Sequence, residues 1–144
     1  EYDQGIGELS DAASALDYLQ SMNTNAKQCW VAGFSFGAWI GMQLLMRRPE
    51  ISGFISVSPP ANMYDFSFLA PCPASGLIIN GLADRVAPPD DTVILVNKLH
   101  EQKGITITHE EVEGCGHFFE DPYMDPMISS VQTYVKRRMT ENTR

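Results

Sequence analysis

Short apolar segments and helical patterns alternate along the whole chain, and this alternation constrains the fold more than any other feature. Helical patterns cover about 6–21, 37–47, 90–102 and 125–139. Short apolar or β-branched runs lie between them at 29–32, 54–57, 76–80 and 105–109. Such alternation is typical of βαβ units, so the sequence predicts an α/β fold, a three-layer αβα sandwich with a mostly parallel sheet. The 144 residues suit one domain over 1–144.

The composition argues against several classes of function. A formal net charge of -8 repels phosphate backbones, so nucleic acid is not expected as a partner. No run approaches the roughly 18 apolar residues of a membrane span, so no membrane association is expected. Three widely spaced cysteines without a CxxC pair predict neither a disulfide scaffold nor a zinc site, and a cytoplasmic location is expected. No pattern indicates a metal or another cofactor.

The predicted strand at 29–32, read as a buried strand, runs directly into Gly33-Phe34-Ser35-Phe36-Gly37, which has the form G-x-S-x-G. A strand, a strained turn and a helix around this pattern are what a nucleophile elbow requires. The flanking glycines would allow close approach of the backbone, and Ser35 would stand above the sheet as a nucleophile. The Phe36 N–H lies at the helix start, where it can donate to an oxyanion. A glycine-rich turn without chemistry is the alternative.

A nucleophilic serine needs a base, and the chain has three histidines, His100, His109 and His117. His117 lies in a glycine-rich loop after the fourth strand, which places it at the carboxyl edge of the sheet, the same edge as Ser35. His109 ends that strand and is the second candidate. His100 lies on a predicted helix and is expected to face solvent. We therefore predict that His117 is the base.

The base needs a carboxylate that fixes its tautomer, and Asp84 follows the third strand at the same edge. Asp84 could instead pair with Arg85 or cap a turn. Capping explains Asp90 and Asp91 at a helix start, and Asp121 is expected to be a loop or cap residue. With Asp84 the chain order is Ser, Asp, His, one of three known orders for such a triad.

Three segments together resemble the α/β-hydrolase superfamily: the elbow region at 29–38, the loop Gly-Leu-Ala-Asp-Arg-Val-Ala-Pro-Pro at 81–89, and Gly-His-Phe-Phe at 116–119. More narrowly, they resemble small bacterial hydrolases related to dienelactone hydrolases and acyl-peptidase-like esterases. The resemblance covers essentially the whole chain. It implies that Ser35 is the nucleophile, that Asp84 orients the base, and that His117 is the base.

The same resemblance implies strands and a loop on the N-terminal side of the elbow that are not found in this sequence. The chain begins with Glu1 rather than Met, so we expect it to be the C-terminal portion of an α/β-hydrolase domain, from the elbow strand onward. The second N–H of the oxyanion hole would then lie outside the chain. Loss of one such donor costs about 10²–10³ in rate, so the chain alone is expected to be poorly active. The open sheet edge predicts a homo-oligomer formed by pairing with a second copy.

Four aromatic residues could wall a substrate pocket: Phe34, Tyr64, Phe66 and Phe68. Packing as local core is the alternative for the last three. The segment between the second and third strands, which carries the last three, is short for a lid domain, so small, accessible ester or related acyl substrates are expected. Haloalkane or epoxide chemistry would place Asp at the elbow, and Ser35 argues against it. A non-catalytic scaffold that acts in protein interactions is the remaining alternative.

Overall fold

Four helices and four strands alternate in the computed structural model, which describes residues 1–141. The helices are α1 (Ile6–Met22), α2 (Phe36–Arg47), α3 (Pro89–His100) and α4 (Met124–Glu141), and the strands are β1 (Cys29–Phe34), β2 (Ile51–Val57), β3 (Gly76–Gly81) and β4 (Ile107–Val112). All neighbouring strands are parallel, and the sheet order is β1-β2-β3-β4. The predicted α/β class and parallel sheet are confirmed.

Helices cover both faces of the sheet and form the outer layers of the sandwich. Residues of α1, α2 and α3 pack with one face in a cluster that includes Leu9, Leu45 and Leu99. On the other face, α4 packs through Tyr134 and Val131. The β2 and β3 strands are buried on both faces because helices cover them and strands flank them.

The β1 strand differs from the sequence prediction, which treats 29–32 as a buried strand. Ala32 is exposed, and Phe34 keeps 44% of its surface exposed. The reason is position: within residues 1–141, β1 pairs with β2 alone and forms one edge of the sheet. Its apolar residues therefore border solvent along an open strand edge.

Two further details depart from the sequence predictions. Ile6 and Leu19 belong to the apolar pattern of α1, but they are 77% and 56% exposed, whereas Leu9 and Leu16 are buried. The fourth strand is predicted at 105–109, yet β4 spans Ile107–Val112 because it pairs with β3 residue by residue over that range. His109 therefore lies inside β4 instead of ending it.

Candidate active site

Ser35 sits at the junction between β1 and α2, in a backbone conformation that few residues adopt. Its φ is 54° and its ψ is -120°, which is strained for a residue with a side chain. The Ser35 N–H donates to Val57 O at 2.8 Å, which ties the turn to the end of β2. This is the strand, sharp turn and helix that a nucleophile elbow requires.

The two glycines of the elbow have different steric surroundings. A Cβ added at Gly33 would lie 2.6 Å from the Ala38 nitrogen and closer still to the Gly37 carbonyl. A Cβ added at Gly37 would meet nothing within 4 Å among the described residues. The expectation that both glycines serve close backbone approach is therefore correct for Gly33 and wrong for Gly37.

A hydrogen-bonded chain joins Ser35, His117 and Asp84. Ser35 Oγ lies 2.8 Å from His117 Nε2, and His117 Nδ1 lies 2.7 Å from Asp84 Oδ2. A carboxylate accepts hydrogen bonds, so the Nδ1–H of a neutral His117 donates to Asp84 and the lone pair on Nε2 accepts from the Ser35 hydroxyl. His117 and Asp84 are 5% and 4% exposed, which limits competition from water.

The carboxylate of Asp84 is held by the loop that carries it. Its Oδ1 accepts the N–H groups of Val86 and Ala87, each at 2.8 Å, and its Oδ2 remains for His117. Asp84 therefore organises a turn and also contacts the base, so the turn role foreseen from the sequence accompanies the contact with His117. In the part of the chain that the structure describes, the Asp84 carboxylate contacts the His117 ring and forms no salt bridge with Arg85.

The loops that carry Asp84 and His117 are joined to each other through their backbones. Ala83 N–H donates to Cys115 O and Leu82 N–H donates to Val112 O, both at 2.9 Å. A Cβ on Gly81 would collide with the carbonyl of Cys115, so the absence of a side chain at Gly81 permits this contact. The two loops thus form one unit at the carboxyl edge of the sheet.

The other histidines lie away from Ser35. His109 Nε2 lies 2.5 Å from Asn80 Oδ1 on the neighbouring strand, and burial lowers the pKa of His109. His100 is exposed, as expected, and its Nε2 lies 3.0 Å from Ile107 O. Asp90 and Asp91 occupy the first turn of α3. The structure therefore brings His117, and neither of the other histidines, to the serine.

The four aromatic residues predicted to wall a pocket occupy two environments. Phe34 lies beside the base, with its ring centroid 5.3 Å from that of His117. Tyr64 stacks on Trp39, and its centroid lies 5.5 Å from that of Phe36, the residue after the nucleophile.

Phe66 and Phe68 stack on each other; Phe66 is buried in the core, and Phe68 is partly buried against it. Both thus contribute to local core packing, the alternative left open by the sequence, while Phe66 also lines a cavity between the 61–70 segment and α3. Phe34 and Tyr64 are the two of the four that lie near the hydrogen-bonded chain.

Ser35 is partly exposed to solvent. A cavity of about 360 Å³ borders His117 and Phe118, and a larger one of about 690 Å³ lies between the 61–70 segment and α3. Ser35 lines neither of them.

Among residues 1–141, no group of three or more His, Cys, Asp or Glu side chains could hold a metal ion.

Ser58, the residue directly after β2, contacts the loop of the base, and the sequence analysis did not identify it. Its hydroxyl donates to the carbonyl oxygen of His117 at 2.8 Å. The signal available in the sequence was its place, directly after a strand and before Pro59-Pro60, at the edge where the candidate site lies.

Comparison with known proteins places the chain among hydrolases by structure. No family model matches the chain. It is 51% identical over 123 residues to the uncharacterized protein RP471 of Rickettsia prowazekii. The aligned region covers 83% of this chain and 52% of that protein. It is 61% identical to ATU1826 of Agrobacterium tumefaciens, a protein of unknown function provisionally assigned as an α/β hydrolase, with a TM-score of 0.94 over 98% of this chain and 64% of that one.

A third similar protein is XC6422 of Xanthomonas campestris, described as an α/β serine hydrolase without a lid. It is 28% identical, with a TM-score of 0.82 over 95% of this chain and 59% of that one. The chain thus spans about half the length of its curated relative and less than two thirds of these two solved structures. The narrower resemblance to dienelactone hydrolases stays a prediction. With its parallel sheet, its strained elbow and these structural neighbours, the chain belongs to the α/β-hydrolase superfamily.

Proposed function

We propose that this chain carries the catalytic residues of a serine hydrolase that cleaves small ester or related acyl substrates. The observation that supports this best is the unbroken hydrogen-bonded chain from Ser35 Oγ through His117 to Asp84. A serine outside such a chain is a weak nucleophile, because its hydroxyl keeps its proton at neutral pH. Structural neighbours described as serine hydrolases point to the same chemistry.

The proposed reaction has two halves. Ser35 Oγ attacks the acyl carbon while its proton passes to His117 Nε2, and the bond to the leaving oxygen breaks as His117 returns that proton to it. Water then attacks the acyl-enzyme and gives a proton to His117, and Ser35 recovers a proton as the acid leaves. Asp84 holds the imidazole in the required tautomer and stabilises its charged form.

The negative charge that develops on the acyl oxygen needs hydrogen-bond donors, and we assign one of them to the backbone N–H of Phe36. It lies in the first turn of α2, where N–H groups have no partner within the helix. A second donor would come from outside this chain, as the superfamily resemblance implies. We therefore expect turnover about 10²–10³ below that of the longer Agrobacterium protein on the same ester. Equal turnover would contradict this division of the oxyanion hole.

We propose that substrates are small and approach from solvent. The exposed ring of Phe34 beside His117 offers an apolar contact for an acyl or alkyl group. The Xanthomonas neighbour is described as lacking a lid, which suits the same kind of substrate. The three cysteines are free thiols, in keeping with the cytoplasmic location that we also propose. No helix within residues 1–141 is long and apolar enough to cross a membrane.

The test is hydrolysis of p-nitrophenyl acetate by the wild-type chain and by two serine variants. Ser35→Ala should abolish release of p-nitrophenolate above background. Ser10→Ala, which removes an exposed hydroxyl on α1, should leave it unchanged. Equal release by the Ser35→Ala variant would refute the proposal and favour the non-catalytic scaffold.

A further inference from the structure

Ser58 combines full burial with a backbone conformation that serine rarely adopts. It is 0% exposed and follows directly on Val57, the last residue of β2. Its φ is 52°, in the left-handed region that favours glycine. An observed backbone strain of this kind is a reason to look for a function that requires it.

The hydrogen bonds of this segment connect three strand ends. Ser58 N–H donates to Ile79 O at 2.8 Å, which fixes its backbone against β3. Its hydroxyl donates to His117 O at 2.8 Å. The preceding carbonyl, Val57 O, accepts the Ser35 N–H at 2.8 Å. Two consecutive residues thus hold the main chains of both the nucleophile and the base.

The loop that carries His117 needs such support. Backbone hydrogen bonds tie Cys115 to Ala83 and Val112, but Gly116, between Cys115 and His117, restricts the backbone less than a residue with a side chain would. Within residues 1–141, the bond from Ser58 is the hydrogen bond that the His117 carbonyl makes. Side-chain contacts with Ser35 and Asp84 orient the ring, but they do not fix the backbone from which it projects.

We propose that Ser58 is a positioning residue that sets the distance between Ser35 Oγ and His117 Nε2. The hydroxyl anchors the base, and the neighbouring carbonyl anchors the nucleophile, so the Val57–Ser58 segment fixes the spacing between them. This inference rests on the proposed function for its catalytic consequence. Its geometric content, the orientation of His117 toward Asp84, can be measured without turnover.

The experiment compares Ser58→Ala and Ser58→Gly with Ser56→Ala. Glycine suits the left-handed backbone, so Ser58→Gly removes the hydroxyl and is expected to fold even if alanine does not. Ser56 is 2% exposed and lies in β2, two residues before Ser58, so its alanine variant controls for the loss of a buried serine hydroxyl. Thermal unfolding establishes which variants are folded.

Two readouts report on the site. The first is the second-order rate of labelling by a fluorophosphonate, which should fall about 10- to 100-fold in both Ser58 variants, since small displacements of reacting groups are costly. The second is the far-downfield proton resonance of His117 Nδ1–H bonded to Asp84, which should shift or broaden. Ser56→Ala should match the wild type in both.

The proposal would be overturned if Ser58→Gly were labelled at the wild-type rate and kept the wild-type resonance. It would also be overturned if labelling of Ser56→Ala were slowed as much as that of the Ser58 variants. A wild-type chain that resists labelling would contradict the proposed function instead. The resonance would then decide the role of Ser58 by itself: a change in Ser58→Gly alone supports it, and no change refutes it.

Discussion

Replacing each glycine of the elbow by alanine should have opposite effects, although both belong to the same G-x-S-x-G pattern. A Cβ at Gly33 would lie 2.6 Å from the Ala38 nitrogen, whereas real Cβ contacts stay beyond 3.0 Å. Its neighbours there are backbone atoms of the first turn of α2, which cannot rotate away as a side chain can. The strand and the helix must therefore separate, and Ser35 lies between them.

The size of the effect follows from overpacking and from the length of the chain. Forcing an extra carbon into a packed contact costs about 1–3 kcal/mol. With an unfolding entropy of about 2.1 cal/mol/K for each of the 144 residues, this lowers Tm by about 3–10 °C. Moving the nucleophile by about 1 Å should also slow labelling of Ser35 by about 100-fold.

Gly37→Ala is the matched control, because its Cβ would enter open space in the described part of the chain and the residue lies within α2. Alanine is favoured over glycine in a helix by about 0.5–1 kcal/mol, so Tm should rise by about 2–3 °C. Differential scanning calorimetry and fluorophosphonate labelling measure both quantities. The reasoning is refuted if Gly33→Ala keeps the wild-type Tm and labelling rate, or if Gly37→Ala loses as much of either.

Three further perturbations test other parts of the structure. Arg138 donates to Ser52 O in β2 and to Ser75 O just before β3, and its guanidinium lies 4.8 Å from the centre of the Trp30 ring. Arg138→Ala should therefore lose about 2–3 kcal/mol of unfolding free energy in urea, whereas the exposed Arg137→Ala should lose under about 0.5 kcal/mol; equal losses would contradict this. Burial lowers the pKa of His109 below its usual 6.5, so the unfolded chain binds the proton more readily and stability falls as pH drops through that value. His109→Gln should flatten the pH dependence of the unfolding free energy between about pH 8 and 5. An unchanged pH dependence would mean that another group causes it. The open edge of β1 predicts concentration-dependent self-association in analytical ultracentrifugation; a monomer at every concentration would refute pairing through that edge.

Three signals in the sequence pointed to the residues of the hydrogen-bonded chain: the G-x-S-x-G pattern for Ser35, the place of each residue after a recognisable strand, and, above all for Asp84, the resemblance to α/β-hydrolases. Ser35, Asp84 and His117 lie after β1, β3 and β4, and the carboxyl ends of parallel strands meet at one edge of the sheet. The sequence therefore placed them together without knowledge of any distance. The hydrogen bonds between these residues, and the two backbone N–H groups that hold Asp84, could be identified only from the structure.

Features that depend on distant partners could not be predicted in the same way. The apolar run at 29–32 has the composition of a buried strand, but its exposure depends on whether another strand pairs with its outer edge. Ser58 and His117 are 59 positions apart, and nothing local to either residue indicates that they meet. The limits of β4 likewise follow from its pairing with β3 and not from its own composition.

The aromatic residues show the same limit at the scale of single side chains. Phe66 and Phe68 lie in a segment that follows β2, near enough in sequence to suggest a pocket wall. Which way each ring points depends on tertiary packing: Phe66 is buried in the core, and Phe68 packs partly buried against it. Phe34 directly precedes Ser35 in the elbow, and this local position brings its ring beside the base; its role in a substrate pocket stays a prediction.

The most direct test of the proposed catalytic role is to locate a covalent adduct. The wild-type chain is treated with a fluorophosphonate and digested, and the modified peptide is sequenced by mass spectrometry. We predict one adduct, on Ser35, that is absent from Ser35→Ala and strongly reduced in His117→Ala. A folded wild-type chain with no adduct on Ser35, or with equal modification of other serines, would contradict the assignment of Ser35 as an activated nucleophile.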